Sequence, residues 1–313
     1  MFVPIPKCWV CEGQKLQPYH RLRIDLSIYH SQDPELARYK DLELSLVRCA
    51  RCGFGQPEAL PSIENYFDRM YDQHWSEDWI ANEFYCGYKD AIFTSVLDHL
   101  SDYVSKSPRR LLDLGTHVGR FPFLAQQRGW LCEGIELNPR TRAFASKTTQ
   151  LPIHHLNAQQ LIDQGQVFDV VSLIDVLEHI PDPVRMLKLA NRLLPNQGII
   201  AVKVPNGAAQ HQKEMWHHRV QSSYRPSLAD NLVHVNHFTP DSLALALDKA
   251  GFTDIEITQG VPEETPPVSG LLNTLRNRTR PSFLYYYLLQ SLPSAWVKNR
   301  YLHLQAYARR PNR

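Results

Sequence analysis

Apolar positions along this chain follow two rhythms. Between Arg110 and Thr258, short apolar runs alternate with stretches whose apolar residues recur every three or four positions. Leu111-Leu112-Asp113-Leu114 and Phe168-Asp-Val-Val-Ser-Leu-Ile174 are nearly continuous, the pattern of strands covered on both faces in a parallel sheet. Cys132–Leu137, a short Pro152–Leu156, Gly198–Val204 and Thr253–Thr258 complete a set of six predicted strands. Helices are predicted near Phe121–Arg128, from Pro139, where proline suits a first turn, over Pro183–Leu194, and over Pro240–Gly251 with its terminal glycine. Strands alternating with helices in this way predict an α/β fold with a doubly wound sheet and right-handed crossovers.

The flanks read differently. Before the alternating block, Tyr19-His-Arg-Leu-Arg-Ile-Asp-Leu26 and Leu42-Glu-Leu-Ser-Leu-Val47 have the period of two expected of a small ribbon. Residues 61–108 are rich in aromatics, including Tyr66, Phe67, Trp79, Phe84, Tyr85 and Tyr88, and end in a helical pattern from Asp90. We read them as a cap that packs between ribbon and core, with Tyr85 or Tyr88 as side chains that could reach a ligand. After the block, prolines at 262, 266 and 267 break the rhythm, a basic stretch and Phe283-Leu-Tyr-Tyr-Tyr-Leu-Leu289 follow, and Tyr301–Ala308 alternates like a final strand. The expected organisation is therefore 1–60 ribbon, 61–108 cap, 109–260 core, and 261–313 an insertion plus a closing strand. Interior packing, a subunit contact and a membrane-surface patch all suit the insertion over 270–300.

Composition changes this picture little. The 313 residues are 43 % hydrophobic and 21 % charged, ordinary for a globular protein. No run of 18 apolar residues is present, so no transmembrane helix is predicted. The first residues are too short and proline-broken for an export signal, and a cytoplasmic location is expected. The net charge of +2 conceals eight Lys/Arg and no acid between 265 and 313, which leaves the rest of the chain net acidic. That balance argues against a dedicated nucleic-acid binder.

Chemistry enters at two places. Cys8-x-x-Cys11 and Cys49-x-x-Cys52 each present two thiols on a tight turn, and four sulfurs make a closed tetrahedral site suited to structural zinc. The 37 residues between the pairs exceed the usual spacing. The second place is Asp113-Leu-Gly115-Thr116-His117-Val-Gly119, a glycine turn from strand into helix. Such a turn gathers backbone N–H groups and a helix N-terminus at one point, where nucleotide-like ligands bind in open α/β sheets. Glu136, 23 residues after Asp113, is placed to accept hydrogen bonds from ribose hydroxyls.

The turn, together with Asp175-Val-Leu-Glu-His-Ile-Pro-Asp-Pro183 and Asn236-His-Phe-Thr-Pro-Asp-Ser-Leu243 … Ala250-Gly-Phe252, resembles class I S-adenosylmethionine (SAM) methyltransferases over roughly 110–258. The resemblance implies a Rossmann-like methyltransferase sheet behind a zinc-ribbon head. It implies that Asp113, Gly115, Thr116, His117 and Gly119 shape the methionine end of a SAM site, that Glu136 and Leu137 face the ribose, that Asn157 and Ala158 flank the adenine, and that Asp175 faces the methionine portion from strand four. The family usually carries glycine where His117 stands, so this side chain is expected to crowd the ligand. A hydroxyl acceptor needs a base, and the candidates are His217 and His218 after strand five, then His234; His179 reads as structural, and His234 precedes the Asn-His-Phe turn that contains His237. The zinc-headed relatives suggest a small-molecule acceptor, a sugar or glycan-precursor hydroxyl, and a nucleotide sugar would suit the basic tail. Another small metabolite methylated on O, N or C, and a degenerate binding module favoured by His117, are the alternatives.

Overall fold

The computed structural model describes residues 2–26, 33–74, 76–104, 109–224 and 230–312. Its central sheet has seven strands: β1 Arg109–Leu114, β2 Trp130–Ile135, β3 Ile153–His154, β4 Val170–Ile174, β5 Ile199–Pro205, β6 Thr253–Gln259 and β7 His303–Arg309. Their spatial order is β6-β7-β5-β4-β1-β2-β3. β1 pairs in parallel with both β2 and β4, and β4 with β5, so the winding direction reverses between β1 and β4. That reversal opens a crevice at the carboxyl ends of these strands, where ligands bind in such sheets. The fold is the Rossmann-like one that the alternation predicts.

Two differences have clear causes. β3 shrinks to two residues because it is the sheet edge and because Asn157 already caps the next helix, Ala158–Asp163, with a reciprocal capping box. The alternating tail does not end up at an edge. β7 slots antiparallel between β5 and β6 and buries Leu304, Ala306, Tyr307 and Ala308.

Helices cover both faces. Asp90–Tyr103 and Arg120–Gln127 bury Ile92, Leu97, Phe121 and Ala125 against one face. Pro183–Arg192 and Pro240–Lys249 bury Leu187, Ala190, Leu243 and Leu247 against the other. Each fully buried Leu or Phe contributes about 1.5–3 kcal/mol, so these layers make the sheet a rigid support for the loops at its carboxyl end.

The N-terminal ribbon is three antiparallel strands, Leu16–Arg23, Glu43–Cys49 and Gly55–Pro57. It docks directly on the core. Gly55 and His237 exchange backbone hydrogen bonds of 3.0 and 2.9 Å, and Phe54 packs on Phe238 with ring centroids 5.1 Å apart. The insertion forms three short helices, Leu271–Arg278, Pro281–Gln290 and Ser294–Val297. Interior packing holds for their inner face alone: Phe283, Leu289 and Val297 are buried, whereas Leu271, Leu272, Leu284, Leu288 and Trp296 face solvent.

Candidate active site

A cavity of about 1450 Å³ opens at the carboxyl ends of β1, β2, β4 and β5. Its wall gathers Asp113, Gly115, Thr116, His117, Glu136, Leu137, Asn157, Ala158 and Asp175 from four separate loops. Chain order alone cannot bring them together; the parallel register of β1, β2 and β4 does. Gly119 is the exception. Its φ of +78° needs glycine, and a Cβ there would meet Thr149 Cγ2 at 3.0 Å and Ala145 Cβ at 3.1 Å, so it serves the close approach of helix Pro139–Thr149 and does not line the cavity.

The first loop is tightly held. Asp113 is buried and accepts a 2.6 Å hydrogen bond from Ser172 Oγ on β4, and burial pushes its carboxyl up to about 7. Glu136 Oε2 accepts from His117 N and Oε1 from Asn138 N, both at 2.8 Å, which fixes the carboxylate at the tip of β2. Burial raises its pKa, the two backbone donors opposing. His117 adopts φ 51°, the left-handed region where glycine is the usual occupant. Its ring sits edge-on to Trp79 with centroids 5.5 Å apart, and burial lowers its pKa to about 3, so it is neutral.

Opposite this cradle the loop after β4 holds charge. Asp175, with φ 55°, accepts a hydrogen bond from Lys203 Nζ and has Lys89 Nζ 3.6 Å from its other oxygen. Burial alone would raise its carboxyl; the two ammonium groups hold it well below the usual range. Lys203 is only 2 % exposed. Beside Lys89, Tyr88 donates to Glu83 at 2.6 and 2.8 Å, and all three line the cavity. Tyr88 thus reaches the cavity, while Tyr85 faces solvent.

Three residues farther along are Glu178 and His179. With His234 they bring a carboxylate oxygen and two imidazole nitrogens within 4.8 Å of one another, all at the cavity wall. His179 Nδ1–H donates to the Val233 carbonyl at 2.6 Å, which makes Nε2 the acceptor nitrogen. Burial lowers both histidines, His234 well below the ordinary value, so both are neutral at pH 7. Burial, aided by the nearby Asp175, raises Glu178 to about 8, so it carries a proton there.

The Asn236-His-Phe segment explains why this turn is stable. Asn236 Nδ2 donates to the Leu177 and Ile180 carbonyls at 2.6 and 2.7 Å, and Val235 N and Asn236 N donate to the Glu178 carbonyl. His237 is buried under the ribbon and does not line the cavity.

His217 and His218 are displaced from the expectation. The chain after β5 runs straight into a 14-residue helix, Gly207–Val220, instead of a loop over the crevice. At 1.5 Å rise per residue their end of the helix lies about 15 Å from its start. Gln210 and Glu214, on the earlier turns, reach the cavity; His217 and His218 do not, and His218 Nδ1 pairs with the Tyr224 carbonyl. Sequence reading also missed Lys203 and Lys89. The signal for Lys203 was present: one ammonium inside the otherwise apolar run Ile199-Ile-Ala-Val-Lys-Val204.

Away from the cavity, Cys8, Cys11, Cys49 and Cys52 bring four sulfurs within 4.8 Å, with Cys8–Cys52 at 3.6 Å and Cys11–Cys49 at 3.4 Å. Around a tetrahedral ion with Zn–S bonds of about 2.3 Å, sulfurs stand about 3.8 Å apart. The cluster matches that geometry, and a Cβ on Gly13 would press on two of the sulfurs at 3.2 Å.

A family model described as "Methyltransferase domain" matches residues 87–257. A ubiquinone biosynthesis O-methyltransferase from Psychrobacter arcticus is 26 % identical over 223 residues, which is 63 % of this chain and 83 % of that protein. Its namesake from Pseudomonas aeruginosa strain LESB58 is 28 % identical over 105 residues, spanning 31 % of this chain and 45 % of that protein. Among solved structures, the plantazolicin methyltransferase BamL, in complex with a triazolic desmethylPZN analog and SAH, aligns with a TM-score of 0.52 at 14 % identity, over 79 % of this chain and 95 % of that one. At that identity the likeness bears on the fold.

Proposed function

Because this chain belongs to the methyltransferase-domain family and is a SAM-dependent methyltransferase, we propose that it methylates a hydroxyl of a small molecule and that His179 takes the hydroxyl proton. The observation that carries this reading is the pair of neutral histidines at the wall of the cavity that also contains the glycine turn and Glu136.

The loops after β1 to β4 suit SAM through the glycine turn at 115, the Glu136 carboxylate for ribose hydroxyls, and Asn157 and Ala158 at the adenine side. The N–H groups of Gly115, Thr116 and His117 are already taken by the Ile135 carbonyl and Glu136 and brace the turn. Asp113, held to Ser172, shapes the turn from beneath. When bound, SAM supplies an electrophilic methyl group on its sulfonium. The chain's part is to fix the acceptor near that group and to receive a proton. The Val233 carbonyl orients the His179 ring, and protonated Glu178 leaves no negative charge beside an incoming hydroxyl. Asp175, clamped by Lys203 and Lys89, stays ionised between the two regions.

For the acceptor we favour a sugar or glycan-precursor hydroxyl, since Glu83, Lys89, Gln210, Glu214 and Glu263 line the cavity and offer many partners for a polyol. An aromatic hydroxyl is the second reading. Apolar Ile63, Phe67, Ile180, Met186 and Val233 also line the cavity and favour it, and the relatives above are named ubiquinone biosynthesis O-methyltransferases. The four cysteines are proposed to hold a structural zinc with no role in the transfer.

Methyl incorporation from labelled SAM, measured with nucleotide sugars and with catechols, tests the acceptor. His179→Ala should lower turnover by about 10²–10⁴-fold with SAM affinity unchanged, and His234→Ala should raise KM for the acceptor. Full turnover in both variants would remove the proton-transfer assignment. Glu136→Ala should abolish binding of S-adenosylhomocysteine in calorimetric titration; unchanged binding would move the cofactor elsewhere.

A further inference from the structure

Of the three helices between 271 and 297, Pro281–Gln290 is apolar on both sides, while Leu271–Arg278 and Ser294–Val297 add apolar side chains to the outer face. Phe283, Leu289 and Val297 point inward, and Leu289 and Val297 join the main core cluster. On the outside, Leu271, Leu272 and Trp296 are 77, 81 and 77 % exposed, and Leu275, Leu284 and Leu288 are more than half exposed. A helix that is apolar all round belongs against a second apolar phase as well as its own core.

The surface is mounted rigidly. Asn277 is fully buried and holds both the N–H and the carbonyl of Thr265, at 2.8 and 3.2 Å. Arg276 donates to the Thr265 and Pro267 carbonyls at 2.9 and 3.2 Å, and Arg280 to the Glu263 carbonyl at 3.3 Å. Glu263 lines the cavity. The exposed leucines therefore stand on a fixed frame joined to the cavity rim.

Charge identifies the occupant. Arg276, Arg278 and Arg280 lie in and just after the first of these helices and Lys298 and Arg300 just after the last, Lys298 being paired with Asp241 at 2.8 Å, and the chain has no acid between 265 and 313. Two copies meeting through this face would bring like charges together. A bilayer carrying anionic headgroups matches both the basic residues and the leucines. No helix among the described residues is long and apolar enough to cross a membrane, so contact is at the surface only. We propose that the 271–297 helices dock the protein on an anionic lipid surface, with Leu271, Leu272 and Trp296 entering the headgroup boundary and the arginines pairing with phosphates.

The test is flotation of the full chain with vesicles of equal parts phosphatidylglycerol and phosphatidylcholine, against phosphatidylcholine alone. The expected result is binding to the anionic vesicles and little to the neutral ones. A Leu271→Ser/Leu272→Ser/Trp296→Ser variant and an Arg278→Glu/Arg300→Glu variant should each lose about tenfold or more in affinity. All five positions are exposed, so the melting temperature should stay at the wild-type value and report that the fold is intact. Absence of binding to either vesicle would overturn the proposal. So would binding lost in the arginine variant but untouched in the apolar one, which is charge attraction without docking. A wild-type dimer in sedimentation velocity that the apolar substitutions dissociate would reassign the face to a second copy.

Discussion

At the scale of single residues, the ion cluster at Asp175 sets the character of the cavity. β5 carries Lys203 into a nearly dry position, and Asp175 accepts its proton-bearing nitrogen from a left-handed backbone position. A buried ion pair adds little net stability over an apolar pair, but removing one partner strands the other. Lys203→Met should therefore cost about 3–5 kcal/mol in denaturant unfolding, with Asp175 left to Lys89 at 3.6 Å. The double variant Lys203→Met/Asp175→Leu should recover part of that loss; no recovery would show that the lysine acts through packing alone. This pair also shows the limit of sequence reading. Asp175 was visible because it ends a strand beside a recognisable turn. Lys203 was hidden because periodicity treats β5 as apolar, and its partner lies 28 positions away. The histidines missed for a related reason: His217 and His218 sit where a substrate loop was expected, but the chain stays helical and carries them past the crevice.

Elements show the reverse balance. The strands from β1 to β6 follow from apolar spacing, most plainly β1, β4 and β5, because strands buried on both faces leave an unmistakable run; the helix Gly207–Val220 between β5 and β6 was not among the predicted ones. The paired cysteines were equally legible. What the ribbon is attached to was not, since it depends on contacts between residues far apart in the chain: Asp25 N on Asn231 Oδ1, Phe54 on Phe238, and the Gly55–His237 bridge. That bridge gives the ribbon a consequence for the cavity. It stands next to Asn236, whose amide clasps the 177–180 turn, and the turn carries Glu178 and His179. Structural zinc supplies on the order of 10 kcal/mol of folding free energy, so the proposed ion would hold this whole chain of contacts. Purified protein should contain one zinc per chain by elemental analysis. Cys11→Ser should lose the metal, lower the melting temperature, and reduce methyl transfer more than it weakens S-adenosylhomocysteine binding, since the glycine turn lies on the other side of the sheet's switch point. A variant with normal melting and normal metal content would end the zinc assignment.

For the molecule as a whole, burial of histidine fixes how stability responds to acid. His117, His179, His211, His234, His237 and His303 all have pKa values lowered by burial, with His117, His237 and His303 near 3 and His211 near 4. In the unfolded chain each would titrate near 6.5. Below that pH the unfolded state binds protons that the folded state refuses, so these groups make stability fall as pH falls. Raised carboxyls act in the opposite sense. Asp113, near 7, and Glu178, near 8, keep protons in the folded state that the unfolded chain has released, and Asp68, Glu83, Glu136 and Glu264 are also shifted upward. Between pH 6.5 and 5, six histidines oppose two strongly shifted carboxyls and four others, and the histidines prevail. Each unopposed group is worth about 1.4 kcal/mol per pH unit, so the melting temperature should drop by several degrees over that interval. His303→Gln should flatten the slope, because it removes one neutral imidazole of strongly lowered pKa without touching the zinc cluster or the proposed base. A melting temperature that is level or rises on acidification would mean that the carboxyls, chiefly Asp113 and Glu178, control the proton balance of the fold.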